Sequence, residues 1–190
     1  MGLLNFREQL GLYAQYHNTL GNQLVHMLCV PLIMWSSIVF LARTTVGPPW
    51  PLDPVLPLNG AGLLLAGYAS YYMLLEPRAA ALYLPALVAM TRSAIHFSAG
   101  DGCAGYSPLV VAGLVFIASW LFQFLGHGLI EHRAPTLLDS PVQALVLAPF
   151  FVWIELLFFL GYRPALRREL QTYVDGEIAQ WKATHGKKRA

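Results

Sequence analysis

Residues 109–130 of the chain read LVVAGLVFIASWLFQFLGHGLI, a run of 22 residues without Asp, Glu, Lys or Arg. A helix needs about 20 mostly apolar residues to cross the hydrocarbon core of a bilayer. The run therefore predicts a membrane-spanning helix. Ser107 and Pro108 precede it directly, and this pair is typical of an N-cap followed by a proline in the first helical position.

Further apolar segments lie on both sides of this run, at 23–42, 55–75, 79–90 and 142–160. The segments at 23–42 and 55–75 are long enough to span a bilayer. The segment at 79–90 is short and contains Pro85. The segment at 142–160 follows Ser140-Pro141, so we expect it to be helical, although Pro149 and Glu155 interrupt its apolar pattern.

The composition of the whole chain agrees with a membrane protein. Of the 190 residues, 56% are hydrophobic and only 12% are charged, whereas soluble domains carry about 25% charged residues. So few charged side chains cannot cover the surface of a soluble domain of this size. We therefore predict an all-α integral membrane helical bundle with four to five hydrophobic segments, surrounded by the lipid bilayer. No nucleic-acid-binding motif accompanies these segments.

An amphipathic helix is predicted before the first apolar segment, over residues 3–17. Its apolar face is formed by residues at alternating steps of three and four, namely Leu3, Phe6, Leu10, Tyr13 and His17. Gly21 predicts a break after this helix, and Asn22 is a candidate N-cap of the next one. Such a break brings His17 and His26 towards each other, with Asn18 and Asn22 available as polar partners.

A polar stripe runs along the segment that begins at residue 109 and continues past its end. It consists of residues four positions apart, namely Ser119, Gln123, His127 and Glu131. This spacing places them on one face of a helix. Ionisable side chains at membrane depth usually face the interior of a bundle and mark functional sites. The stripe predicts a site, with interhelical hydrogen bonding as the structural alternative.

The candidate metal ligands are His17, His26 and His127. A metal site with imidazole and carboxylate ligands and open coordination positions suits a redox-active iron. The same ligands also permit zinc or manganese. Three or four ligands suit a site with one metal ion better than a site with two metal ions. For each histidine taken alone, a packed or interfacial side chain is the structural alternative. We expect His96 and His185 to lie outside the site, and we expect His132 to be interfacial, with a role as a fourth metal ligand left open.

Two blocks of residues resemble the 2-hydroxy fatty acid dioxygenase family, a group of small membrane proteins related to the yeast endoplasmic-reticulum enzyme of phytosphingosine breakdown. The first block comprises Tyr16-His17-Asn18, Asn22, His26 and Pro31. The second comprises Gln123-Phe124-Leu125-Gly126-His127, Glu131, Arg133, Pro135 and Leu137-Leu138-Asp139. The likeness extends over residues 5–162.

The resemblance implies an iron(II)-dependent α-oxidation, in which a 2-hydroxy long-chain fatty acid and dioxygen give the acid one carbon shorter. It implies that His17, His26 and His127 bind Fe²⁺. Glu131 matches an acidic catalytic position that either binds the metal or holds a histidine. Gln123 is a further polar partner of the site, like the two asparagines of the first block. The competing hypothesis is a non-enzymatic membrane transporter or a lipid-binding scaffold with a structural polar stripe.

The distribution of charge predicts the orientation in the membrane. Residues 161–190 contain seven Lys or Arg and three Asp or Glu, whereas the preceding 160 residues contain five and seven. Because Lys and Arg favour the cytosolic side, we divide the chain into a membrane-embedded catalytic domain over 1–162 and a basic, polar cytosolic tail over 163–190.

The membrane itself is expected to be the endoplasmic reticulum in a eukaryote or the inner membrane in a bacterium. Four crossings between the two histidine blocks place both blocks on the cytosolic side. The segment at 142–160 is then re-entrant or interfacial, because a fifth crossing would move the basic tail to the far side. The sequence leaves the oligomeric state open.

Overall fold

The computed structural model describes residues 3–48, 57–131 and 141–185. Within these ranges the regular structure is helical, which confirms the predicted all-α class. The helices are α1 (Phe6–Tyr16), α2 (Leu20–Leu41), α3 (Gly60–Leu75), α4 (Pro77–Ala99), α5 (Pro108–Leu125), a π-helical segment (Gly126–Glu131), α6 (Pro141–Phe159) and α7 (Pro164–His185).

The helices of the described residues include candidates for membrane spans. By length and composition, α2, α4 and the continuous run Pro108–Glu131 are long and apolar enough to cross a bilayer. A fourth candidate is the pair Leu145–Phe159 and Pro164–Gln180, which is bent by 117° and forms either a broken span or a re-entrant loop. The predicted membrane helical bundle is therefore consistent with the structure.

The apolar segments at 55–75 and 79–90 differ in length from the expectation. Helix α3 has 16 residues, shorter than a span, because its N-cap is Asn59, whose side chain accepts a hydrogen bond from the Gly62 amide at 3.0 Å. Helix α4 has 23 residues, because it continues through Pro85 as far as Ala99. Residues 55 and 56 lie outside the described part of the chain.

The starts of the helices follow local sequence signals. Helix α1 has Asn5 as its N-cap, and the side chain accepts a hydrogen bond from the amide of Glu8 at 3.3 Å. Helix α4 has Glu76 as its N-cap, followed by a proline in the first turn. Helices α5 and α6 begin at Pro108 and Pro141, as the two Ser-Pro pairs predict.

The chain divides into two compact units, the first of which is Val25–Phe124. In this unit the Tyr72 ring of α3 stacks near the Tyr83 ring of α4, with centroids 6.1 Å apart. Just after α2, the Arg43 guanidinium donates a hydrogen bond through Nε to the Ser98 hydroxyl at 2.9 Å. The contacts of this unit join helices through aromatic rings and a partly buried polar pair.

The second unit consists of Met1–Leu24 and Leu125–Ala190. Helix α1 packs against α6 and α7 here. The approach to α7 is close at Gly11, where an added Cβ would stand 2.9 Å from the Tyr173 ring. The amphipathic helix predicted over 3–17 is thus a packed element of this unit. The division at residue 162 into a catalytic domain and a tail stays a prediction.

Helix α6 ends in a turn that redirects the chain into α7. Gly161 has a φ of +86°, the left-handed conformation that favours glycine. Its amide donates to the Phe158 carbonyl at 3.2 Å, and the Tyr162 amide donates to the Leu157 carbonyl at 2.8 Å. These two bonds form a Schellman motif, which satisfies carbonyls at the helix end.

Gly161→Ala is expected to lower the free energy of unfolding by about 1–2 kcal/mol, because an L-residue pays this cost in the left-handed region. Gly176→Ala is the matched control, since Gly176 lies within α7 with no atom within 4 Å of an added Cβ. Alanine is favoured over glycine within a helix, so the control substitution should raise the free energy of unfolding. Thermal unfolding in detergent micelles measures both, and a shift of the same sign in both variants would contradict the prediction.

Candidate metal centre

His17 stands at the C-cap of α1, directly before the turn into α2. Its backbone amide donates to the Ala14 carbonyl at 3.2 Å, and its Nδ1 lies 2.9 Å from the Tyr13 carbonyl oxygen. Because a carbonyl can only accept, Nδ1 carries the hydrogen and Nε2 presents a lone pair. A backbone carbonyl that holds one ring nitrogen in this way is the usual support of a metal-binding histidine.

The turn between α1 and α2 is shorter than the sequence predicts. The N-cap predicted at Asn22 is wrong, because α2 begins at Leu20 and Asn22 lies buried within the first helical turns. The Asn22 side-chain nitrogen instead donates to the Tyr16 carbonyl at 3.3 Å, and the Gln23 side-chain nitrogen donates to the His17 carbonyl at 2.9 Å. These bonds fix the two helix ends to each other.

His127 lies in the π-helical segment that continues α5. Single turns of π-helix inside α-helices occur frequently at functional sites. Ser119 and Gln123 of α5 are buried together with His127, in agreement with the predicted inward-facing stripe. The Gln123 side-chain nitrogen has no hydrogen-bond partner among the residues that the structure describes.

His17, His26 and His127 each offer a ring nitrogen, and these atoms all lie within 4.8 Å of one another. His26 stands one turn after Asn22 on α2, so both side chains share a helix face. The three histidines are buried, each with 4% of its surface exposed. Nitrogens that bind one ion at about 2.1 Å lie within about 4 Å of one another. The arrangement therefore fits a single metal ion after a small rotation of the rings.

The Glu131 carboxylate contacts the turn between α1 and α2. Its Oε1 accepts a hydrogen bond from the Asn18 amide at 3.2 Å. Its Oε2 accepts from the Thr19 amide at 3.2 Å, the Thr19 hydroxyl at 2.6 Å and the Asn22 side chain at 3.3 Å. In the described part of the chain, the group that can hold a metal contains the three histidines without Glu131.

Asn18, expected beside the histidines, points its side chain elsewhere. Its side-chain oxygen accepts a hydrogen bond from Gln171 of α7 at 3.2 Å. His96, in the last turn of α4, is not part of the histidine group, as expected. His132 lies outside the described residues.

Tyr13 and Glu155 are two residues near the centre that the sequence analysis missed. The Tyr13 ring stacks on the His17 ring, with centroids 4.0 Å apart and planes 13° apart. Burial, together with the charge of the Glu155 carboxylate, raises the pKa of Tyr13 well above its usual range. Two features of the sequence could have identified them. Tyr13 precedes His17 by four residues, and Glu155 is an isolated acidic residue in the apolar segment that forms α6.

A protein-family model described as 2-hydroxy-palmitic acid dioxygenase Mpo1-like matches residues 3–160. The chain belongs to this family. The family member named 2-hydroxy-palmitic acid dioxygenase MPO1, from Saccharomyces cerevisiae, is 36% identical over 181 residues, which cover 94% of each chain. No solved structure matches the chain. The resemblance recognised in the two histidine blocks is thus confirmed.

Proposed function

We propose that the protein is an iron(II)-dependent dioxygenase that converts a 2-hydroxy long-chain fatty acid to the acid one carbon shorter. The observation that carries this proposal is the buried group of three histidines with ring nitrogens within 4.8 Å. The 2-hydroxy-palmitic acid dioxygenase of Saccharomyces cerevisiae supplies the substrate class by its name. The apolar helices offer surroundings in which a long acyl chain is soluble.

The proposed reaction balances with dioxygen as the only co-substrate. For 2-hydroxypalmitic acid, the products are pentadecanoic acid, carbon dioxide and water. The bond between C1 and C2 breaks, C2 is oxidised from an alcohol to a carboxylic acid, and both oxygen atoms of dioxygen are reduced. Imidazole ligands suit iron among other metals. Bound iron(II) would supply the electrons that activate dioxygen.

The side chains of the site have three tasks in this proposal. The Tyr13 carbonyl holds His17 in the tautomer that presents Nε2. Burial of the three imidazoles excludes water from the reacting groups. Neutral imidazoles do not compensate the positive charge of a divalent ion. A site with such an ion would therefore attract the negatively charged carboxylate of the substrate.

We assign Glu131 a positioning role. Both of its oxygens accept hydrogen bonds from the turn that carries His17, and the same residue ends the π-helical segment that carries His127. A carboxylate that accepts several hydrogen bonds to one turn fixes the relative position of the groups on either side. The cytosolic placement of the histidines and of residues 163–190 stays a prediction from the charge distribution.

The experiment that tests the proposed function uses purified protein in lipid nanodiscs, loaded with iron(II) and supplied with 2-hydroxypalmitic acid. We expect one dioxygen consumed for each pentadecanoic acid formed, and suppression of turnover by an iron chelator. Palmitic acid should not react, because it lacks the 2-hydroxyl. Equal turnover of both acids, or full activity in metal-stripped protein, would contradict the proposal. Absence of turnover with either acid would favour the transporter or lipid-binding scaffold.

A further inference from the structure

Two buried polar side chains, one of which stacks on His17, have atoms without a hydrogen-bond partner among the described residues. They are the Tyr13 hydroxyl and one carboxylate oxygen of Glu155. Tyr13 is 7% exposed and Glu155 is 8% exposed. Nearly all buried polar atoms in proteins are paired, and those left unpaired cost stability. Retained unpaired groups are expected at functional sites.

Both side chains lie in the same compact unit, and Tyr13 adjoins the histidine group. The Tyr13 ring stacks on His17, and its centroid lies 5.1 Å from that of Phe151 on α6. Glu155 follows Phe151 by four residues, so it lies on the same face of α6, one turn further along. Phe151 is itself 1% exposed, so this part of α6 is buried together with Tyr13.

We propose that Tyr13 and Glu155 recognise the head group of the 2-hydroxy acid, with Glu155 accepting a hydrogen bond from the 2-hydroxyl and Tyr13 donating one to the substrate carboxylate. This inference rests on the proposed function. The two unpaired groups have complementary roles, since a phenol hydroxyl donates at neutral pH and a carboxyl oxygen accepts whether or not the group is ionised. A 2-hydroxy acid presents one donor and one anionic acceptor, which matches this pair.

The pair also explains how the site distinguishes a hydroxylated acid from an unsubstituted one. An apolar slot alone discriminates weakly between similar chains, whereas a site built to bind a hydroxyl rejects the analogue that lacks it. With palmitic acid in the site, the Glu155 oxygen would stay buried and unpaired. Discrimination therefore arises from the Glu155 side chain of α6, independently of the metal.

The test measures binding to metal-free, full-length protein in nanodiscs, by equilibrium dialysis with labelled 2-hydroxypalmitic acid and labelled palmitic acid. We expect the wild-type protein to bind the 2-hydroxy acid roughly tenfold more tightly, the order of the cost of leaving one buried acceptor unpaired. Glu155→Leu should abolish this preference. Tyr13→Phe should weaken binding of both acids roughly tenfold, because both carry a carboxylate.

We expect both variants to fold with the stability of the wild-type protein or greater. Each substitution removes a buried polar atom that lacks a partner among the described residues, so the melting temperature should stay equal or rise. Thr91→Val and Tyr162→Phe are matched controls, because their buried hydroxyls also lack a partner within the described ranges. Both controls should retain the binding affinity and the preference of the wild-type protein.

The outcomes separate this inference from the proposed function. The recognition pair would be overturned if Glu155→Leu kept the full preference for the 2-hydroxy acid over palmitic acid. It would also be overturned if the Thr91→Val control lost this preference. Both conclusions hold even if the iron-loaded enzyme turns over. Loss of kcat in Glu155→Leu with an unchanged preference would also overturn the pair. A wild-type protein that prefers the 2-hydroxy acid but shows no iron-dependent turnover would support the pair and reject the proposed reaction.

Discussion

His127→Ala is expected to lose bound iron and turnover together. The three buried ring nitrogens within 4.8 Å are the candidate ligands, and removal of one leaves two imidazoles to hold the ion. Loss of a residue that merely supports a ligand costs about 10–100-fold in metal affinity, so loss of the ligand itself should cost more than about 100-fold. Iron content by elemental analysis and oxygen consumption measure the two effects.

The matched control is His96→Ala, since His96 lies in the last turn of α4 and outside the histidine group. It should retain iron and activity. Circular dichroism distinguishes a lost ligand from a lost fold, because the helices should persist in His17→Ala, His26→Ala and His127→Ala alike. Normal iron content in His127→Ala would contradict the assignment. Unfolding of all three histidine variants would support a structural role instead.

The parts of the fold that the sequence predicts are those with local causes. Pro108 and Pro141 each open a helix where a Ser-Pro pair predicts one. A break between the first two helices is expected near Gly21 and the neighbouring asparagines, and it lies slightly earlier, at residues 17–19, with Gly21 and Asn22 inside α2. From that break followed the approach of His17 and His26, which are found in one group with His127.

The parts that the sequence does not predict depend on contacts between distant residues. Asn22 has the side chain of a good N-cap, yet α2 begins two residues earlier. The amides of Asn18 and Thr19 at that helix start donate to Glu131, which lies 113 and 112 residues away in sequence. No local propensity contains this information, because the acceptor comes from another segment.

Tyr13 and Glu155 illustrate the same limit. In the sequence alone, Tyr13 is one residue of an apolar helical face, and Glu155 is a residue that interrupts an apolar segment. Their relation becomes visible only through Phe151, whose ring lies beside Tyr13 and one helical turn before Glu155. The packing of α7 against α1 is likewise long-range, since it depends on the close approach of Gly11 to Tyr173.

Glu131→Gln is expected to weaken iron binding about 10–100-fold, the range for loss of a group that orients a ligand. Four donors converge on this carboxylate, two of them backbone amides and the others the Thr19 hydroxyl and the Asn22 side chain. Glutamine replaces one acceptor oxygen by an NH₂ group, which must then face a donor. The turn should therefore shift, and His17 directly before it should move with it.

The matched control is Glu76→Gln, because the Glu76 side chain also accepts a backbone hydrogen bond, from the Ala79 amide at 2.6 Å at the start of α4. The amide oxygen of glutamine can replace this acceptor, so iron affinity should not change. Competition with a coloured iron(II) chelator measures both variants. Unchanged affinity in Glu131→Gln would refute the positioning role. A loss as complete as that of His127→Ala would refute it too, because it would make Glu131 a fourth ligand.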